Sequence, residues 1–352
     1  MTDFLSQAYP KLSRRLPKTP LADLPTPVSE IALSVGLQKR SITIKHDDLT
    51  GRLYGGNKVR KLEYFLQRAR EHRAQRIATF GTVASNHALA TAIYATSLNF
   101  GCTCFLSHQP RTSTAPVALN MHLRNETEII CFRGSRANRV RTLRKYLWNR
   151  RTWVIPMGGS SWLGTIGFVN AGLELADQVA TKSIPTPERL YVANGTMATA
   201  AGLALGLALA GLATEVHAIR VTHEFIANRE AMRRLLKKSA TLMSRIDASI
   251  PADLANRTRL RFRDEFFGGG YARSNDVTDR AIDIARDQLG LTLDTTYSGK
   301  AMAALLHDAE QPQFASQSML FWNTYNSRPL PVSAERPADT ARLPEEFLRY
   351  FD

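Results

Sequence analysis

Residues 189–211, "RLYVANGTMATAAGLALGLALAG", decide the architecture. A short apolar strand runs into a small, hydroxyl-bearing loop, and the loop opens a helix of almost nothing but Ala, Leu and Gly. A helix apolar on every side is a buried helix, so its N-terminus points at an interior crevice. There Gly195, Thr196 and Thr199 bring N–H and O–H donors to the positive end of the helix dipole, the arrangement that binds a phosphate. The loop has neither the GK[ST] of a Walker motif nor a GxGxxG pattern. A tightly packed helix start is the plainer reading, but it leaves the hydroxyls unexplained.

The same strand-then-helix rhythm extends outward in both directions. "SITIKH" (41–46), "RIATFG" (76–81), "CTCFLS" (102–107), "EIICF" (128–132), "TWVIPM" (152–157) and "EVHAIRV" (215–221) read as further strands. Between them come helical spacings such as Leu62, Phe65, Leu66 and Ala69, or Gly164, Phe168, Ala171 and Leu175. Alternation of this kind predicts an α/β fold with parallel sheets flanked by helices. At 352 residues the chain is long for one core, and two lobes are expected. Residues 16–30 read as a Pro-rich lead-in and 329–344 as a Pro-rich tail over the surface.

The composition is that of a soluble globular protein, without a membrane-spanning run or the apolar core of a secretory signal at the start. Three scattered cysteines and eight scattered histidines give no disulfide framework and no metal-ligand spacing. A reducing cytoplasm is the expected compartment. The net charge of +15 raises the question of nucleic acid. Much of it falls in residues 133–151, which read as one amphipathic helix with Val140, Leu143 and Leu147 inward. With no nucleic-acid-binding motif beside it, a solvated basic face is the expectation.

Three more strand-to-helix junctions carry chemistry. In "LYGGNKVRKLEYFL" (53–66) two glycines and a possible cap, Asn57, lead into a helix that starts at Lys58. The helix dipole lowers the pKa of a lysine placed there, and a neutral amine is what Schiff-base chemistry requires. Taken alone, the motif fits a surface lysine after a turn better. "ASNHALA" (84–90) opens a helix with Ser85, Asn86 and His87, a polar cradle for a carboxylate or a ring substituent where one cap would suffice. "LDTTYSGKAMAALL" (293–306) sets Tyr297 and Ser298 before another buried helix, either as an acid or as a satisfied core tyrosine. Together the lysine, cradle, phosphate cup and tyrosine describe a site for pyridoxal 5'-phosphate.

The ordered set "LPTPVSEI…ITIKHDDLTGRLYGGNKVRKLEY", "ASNH", "IPMGGSSWLGTIGFVNAGLEL", "VANGTMATAAGL", "FFGGGYA" and "LDTTYSGKAMAALL" resembles the D-cysteine desulfhydrase and 1-aminocyclopropane-1-carboxylate deaminase family, over roughly residues 20–325. The resemblance implies a pyridoxal-phosphate enzyme of the tryptophan-synthase-β (type II) fold, a homodimer. Its large domain would comprise 1–46 plus 164–352, and a small inserted domain 47–163. It also implies that Lys58 holds the cofactor and moves the Cα proton, and that Asn86 bonds the cofactor's phenolic oxygen. Ser85, Asn86 and His87 would take the substrate carboxylate, while Gly195, Thr196, Met197, Ala198 and Thr199 bind phosphate with help from Lys61. Tyr271 and Tyr297 would line the substrate pocket, Ser298 would face the pyridine nitrogen, and Thr324 would border the cofactor. A hydroxyl rather than a carboxylate at 298 favours β-elimination of D-cysteine to pyruvate, ammonia and sulfide. Ring-opening deamination is the alternative, and a basic polyanion-binding protein on a retired scaffold is the alternative of another class. The sequence departs from the family at Met197 and Ala198, where glycines are usual. It departs again at Asn323-Thr324-Tyr325-Asn326, which replaces a His-Thr-Gly-Gly segment, so that a bulky Tyr325 is expected to reshape the pocket.

Overall fold

The computed structural model describes residues 3–35, 38–147, 151–337 and 340–352. Its strands are β1 (Val28–Val35), β2 (Gln38–Lys45), β3 (Arg76–Thr82), β4 (Gly101–Ser107), β5 (Glu128–Cys131), β6 (Thr152–Val154), β7 (Arg189–Asn194), β8 (Glu215–Arg220), β9 (Leu260–Arg263) and β10 (Met319–Trp322). They form two sheets with helices packed around them. One has the order β5-β4-β3-β6 and is parallel throughout. The other has the order β1-β2-β10-β7-β8-β9, parallel except for the antiparallel pair β1–β2. The first is drawn from residues 76–154 alone, and the second from segments on either side of it.

The expected strands are present, with β6 shorter than "TWVIPM" suggests because Pro156 lacks the N–H a ladder needs. Three strands escape the sequence reading. β1 begins in the last three residues of the Pro-rich lead-in and runs on to Val35, β9 alternates Leu and Phe with arginines over only four residues, and β10 is four residues long. β10 positions the site. It threads between β2 and β7, with Met319 opposite Ile42 and Arg189, and all four of its residues are buried. Residues 323–326 are thereby delivered to the approach of the Lys58 helix.

The helix Lys58–Glu71 buries Leu62, Phe65, Leu66 and Ala69, as the spacing predicts. The helices Trp162–Ala180 and Ala198–Leu209 pack so closely that a Cβ on Gly202 would lie 2.4 Å from the Thr165 carbonyl oxygen. Their Ala- and Gly-rich composition is thus a backbone-contact requirement. The basic segment behaves differently from expectation. The helix runs Arg136–Leu147, Val140 is 43% exposed rather than inward, and Leu143 is half-buried. The side chain of Leu147 lies outside the described residues. Among those residues no helix is long and apolar enough to cross a membrane.

A buried ionic cluster ties the Lys58 helix down. The Arg60 guanidinium donates to Asp47 Oδ1 at 2.7 Å and to Glu174 Oε2 at 2.8 Å, and Lys45 Nζ donates to Glu174 Oε1 at 2.5 Å. Burial alone would raise the Glu174 carboxyl, but Arg60 and Lys45 outweigh it and hold its pKa at about 2. Removing one partner of such a cluster strands a buried charge. Arg60→Met should therefore cost about 3–5 kcal/mol in urea unfolding. The depressed Glu174 pKa also fixes a pH dependence. Its stabilising contribution is full above its ordinary value of 4.5 and is lost as pH falls from there toward 2. Arg60→Met should flatten that part of the acid-unfolding profile.

Candidate active site

Lys58 enters its helix from a corner that only glycine can turn. A Cβ on Gly55 would sit 1.8 Å from the Asp48 carbonyl oxygen, and Gly56 has φ +86° with the Thr324 carbonyl 2.8 Å from where its Cβ would lie. The Asn57 N–H donates to the Thr324 carbonyl at 3.2 Å, and the Gly55 N–H donates to Asn326 Oδ1 at 2.6 Å. Asn57 is not the cap that the sequence suggests. Its backbone is already helical and its side chain caps nothing. Instead its Oδ1 accepts from Lys58 Nζ at 2.7 Å while its Nδ2 donates to Thr199 Oγ1 at 3.0 Å. The catalytic candidate is thus wired to the candidate phosphate loop.

Lys58 lines a cavity of about 870 Å³. Burial, opposed by the Asp294 carboxylate, lowers its pKa to about 8. Burial rather than the helix dipole is the leading cause, which corrects the sequence argument while keeping its direction.

Of the other predicted residues, Lys61, Ser85, Asn86, His87, Gly195, Thr196, Met197, Thr199, Tyr271, Tyr297 and Thr324 reach the same cavity wall. Ser85 caps its helix, its Oγ accepting from the Ala88 N–H at 3.3 Å, so the plain cap reading holds beside the functional one. Asn86 Oδ1 accepts from the Tyr54 hydroxyl at 3.1 Å, which leaves the amide NH₂ as the donor. His87 Nε2 pairs with Thr79 Oγ1 at 2.9 Å. Burial, then Lys58 and Lys61, keep that imidazole neutral at physiological pH. Lys61 Nζ donates to the Gly158 carbonyl at 3.2 Å, and burial with the neighbouring Lys58 holds its pKa well below the ordinary value.

In the 195–199 loop Met197 takes φ +74°, a left-handed conformation that a side-chained residue resists. A glycine would adopt it freely. Ala198 begins the helix behind the loop and does not reach the wall. Beside the loop, Asn194 is buried at the cavity, and neither Oδ1 nor Nδ2 has a partner among the described residues.

Against Gly195, whose Cβ would lie 3.5 Å from Tyr297 Cε1, the Tyr271 and Tyr297 hydroxyls bond each other, and Tyr271 also meets Thr82 Oγ1 at 3.2 Å. Burial raises both phenols above their ordinary value, so each is a neutral hydroxyl. Ser298 does not present its hydroxyl to the cavity. Its Oγ donates to Asp294 Oδ1 at 2.6 Å, whose oxygens also accept the N–H groups of Thr296, Tyr297 and Ser298. Asp294 itself lines the cavity, as do Tyr325, Asn194 and Asn57. Sequence reasoning missed Asp294. It lies three residues before the N-cap position, Tyr297, so no capping pattern marks it in the sequence.

The family described as pyridoxal-phosphate dependent enzyme matches residues 18–324. The D-cysteine desulfhydrase of Salmonella choleraesuis (strain SC-B67) is 31% identical over 309 residues, covering 85% of this chain and 90% of the relative. That of Serratia proteamaculans (strain 568) is 30% identical over 325 residues, covering 89% and 96%. The crystal structure of an ACC deaminase homologue superposes with a TM-score of 0.73 at 26% identity, covering 92% of this chain and 95% of that one.

Two measurements test this geometry. Labelling of Lys58 by trinitrobenzenesulfonate, followed by peptide mapping in the apo-protein, should rise with pH through an inflection near 8. An inflection near 10.5 would mean that the amine is solvated. Met197→Gly should stabilise the fold by about 1 kcal/mol, because it removes a left-handed conformation that costs side-chained residues about 1–2 kcal/mol. Urea unfolding reads the difference.

Proposed function

The chain belongs to the pyridoxal-phosphate dependent enzyme family, and on that footing we propose that it catalyses α,β-elimination on a small amino acid, D-cysteine or a close relative, giving pyruvate, ammonia and a thiol or sulfide. The observation that carries this reading is the Lys58 amine, set at the cavity wall with a pKa of about 8 and held by Asn57. The residues present fit the cofactor. An unpartnered buried amide, Asn194, flanks a hydroxyl-bearing helix start, and Lys61 donates to the carbonyl of Gly158, which packs against Thr196. In this reading Lys58, Asn86, Asn194 and the 195–199 loop hold the cofactor.

When bound, pyridoxal phosphate supplies an electron sink for the pair left on Cα. The chain supplies the rest. Lys58 Nζ takes the Cα proton, and its depressed pKa keeps it able to accept one near neutral pH. The N–H groups at the Ser85 helix start, with the neutral His87 behind them, orient the substrate carboxylate. The joined Tyr271 and Tyr297 hydroxyls are positioned to donate to a departing group. The convergence of Lys58, Asn86 and Tyr297 on one cavity supports catalysis over polyanion binding on a retired scaffold.

Elimination is supported by the desulfhydrase relatives and by the absence of a carboxylate at position 298 itself. A second reading, ring-opening deamination of aminocyclopropanecarboxylate, is favoured by one observation: the Asp294 carboxylate at the cavity wall, bonded to Ser298. The homodimer belongs to the same proposal, as does a reducing compartment, which suits the three free thiols.

The test compares wild type with Lys58→Ala. The wild type should show the visible absorbance of lysine-bound cofactor and release pyruvate and sulfide from D-cysteine faster than 2-oxobutanoate from aminocyclopropanecarboxylate. Lys58→Ala should lose that absorbance and at least about 10²–10⁴-fold of the turnover. Faster 2-oxobutanoate release would select the second reading, and an unchanged spectrum in the variant would refute both.

A further inference from the structure

The cavity is larger than a cofactor and a three-carbon amino acid require. Its volume of about 870 Å³ lies near the top of the roughly 300–1,000 Å³ range of small-molecule sites. Beyond the residues assigned so far, its wall continues to the carboxyl ends of β3, β4 and β5. Phe80 on β3 is in register with Phe105 on β4, and their rings stack with centroids 5.2 Å apart at 19°. Phe132, just past β5, meets each of them edge-on with centroids 5.7 Å apart. The Arg139 guanidinium lies 5.4 Å over the Phe132 ring, at the outer edge. All four line the cavity that contains Lys58. Phe105 is fully buried, whereas Phe80 and Phe132 are only half-buried, so part of their apolar surface is turned to the cavity.

The neighbouring wall is stiff. The His108 ring packs against Phe347 and Tyr350. The Tyr350 hydroxyl accepts from the Gln109 N–H at 3.0 Å and donates to the Gln109 carbonyl at 2.9 Å. Residues 345–350 thus shape a side of the cavity although the family match ends at residue 324.

We propose that the amino acid cleaved here carries a ring-bearing apolar thiol on Cβ, an S-benzyl- or S-arylcysteine, with the ring lodged against Phe80, Phe105 and Phe132. The proposal rests on the elimination reading above and names its substrate class. An unsubstituted thiol leaves the half-buried rings of Phe80 and Phe132 facing water. An aromatic substituent covers them, and ring edges against ring faces give the favoured geometry. Arg139, stacked on Phe132, closes the chamber without a competing apolar partner. The chemistry balances without an added oxidant or reductant. The Cα proton passes to Lys58, the Cα–H pair becomes the Cα=Cβ bond, and the Cβ–S pair leaves with sulfur. The thiolate then takes a proton, and one water converts the enamine to pyruvate and ammonium.

The experiment measures kcat/KM for pyruvate release from β-chloroalanine, cysteine and S-benzylcysteine, each as both enantiomers. It adds calorimetric binding of S-benzyl-α-methylcysteine, which has no Cα hydrogen and cannot react. S-benzylcysteine should exceed cysteine by about 10-fold or more. In Phe80→Ala and, separately, Phe132→Ala, the ratio of S-benzylcysteine to chloroalanine kcat/KM should fall about 10-fold, with a matching loss in affinity for the α-methyl analogue. Turnover of chloroalanine with no preference for the benzyl compound, or a ratio unchanged in both variants, overturns the proposal and leaves the elimination reading standing. No pyruvate from any substrate overturns both.

Discussion

The position of Lys58 depends on a charge cluster that never meets solvent. Lys45 at the end of β2, Asp47 in the turn after it, Arg60 on the Lys58 helix and Glu174 on the Trp162 helix are each at most 1% exposed at the side chain. Two cations face two carboxylates, and Thr26 and Gln178 complete the hydrogen bonding around them. Such a cluster is a poor source of net stability, since desolvation cancels most of its Coulomb attraction. What it supplies is direction. Apolar packing would tolerate rotation of the Lys58 helix, whereas a guanidinium shared between Asp47 and Glu174 has few alternative poses. One half-turn from Arg60, the Lys58 amine inherits that precision.

From this anchor the site's electrostatics follow. Burial removes charge from His87, Tyr271 and Tyr297 and weakens it on Lys58 and Lys61. The wall is therefore largely a set of neutral hydrogen-bonding groups. Asp294 stands out, its carboxylate held by N–H donors at the turn before the Ser298 helix and acting on Lys58 across the cavity. An anionic ligand entering such a place meets neutral donors and depressed amines near Lys58, with the fixed charges of Arg139 and Arg273 elsewhere on the wall.

Much of this was legible in the sequence, because strand-to-helix junctions announce themselves. Glycine, threonine and asparagine at a helix mouth contradict the apolar pattern around them, and Lys58, Ser85, Thr196 and Tyr297 were found that way. What stayed hidden depends on contacts between distant segments. Nothing local says that Asn57 bonds Thr199, 142 residues away, instead of capping its own helix. Four-residue β10 carries too little periodicity to be read, although it delivers Thr324 to Gly56. Ser298 was misplaced for a related reason. Its hydroxyl and the Asp294 carboxylate are one turn apart, and only the folded loop decides which faces the cavity. Val140 shows the limit of helical spacing, which marks a stripe as apolar but not whether anything covers it.

The departures from the family pattern acquire a physical sense in this setting. Replacing two glycines by Tyr325 and Asn326 should disturb a corner where backbones run as close as they do at Gly55. Asn326 instead stitches it, its Oδ1 accepting the N–H groups of Gly55 and Arg328 while its Nδ2 donates to the Arg328 carbonyl. The lysine corner is thereby preserved while Tyr325 contributes a half-buried phenol to the cavity wall. Met197 works the same way, keeping the left-handed turn at the cost of strain. Both changes leave the Lys58 corner in place and alter what surrounds it at the cavity wall. The half-buried rings of Phe80 and Phe132 line the same cavity.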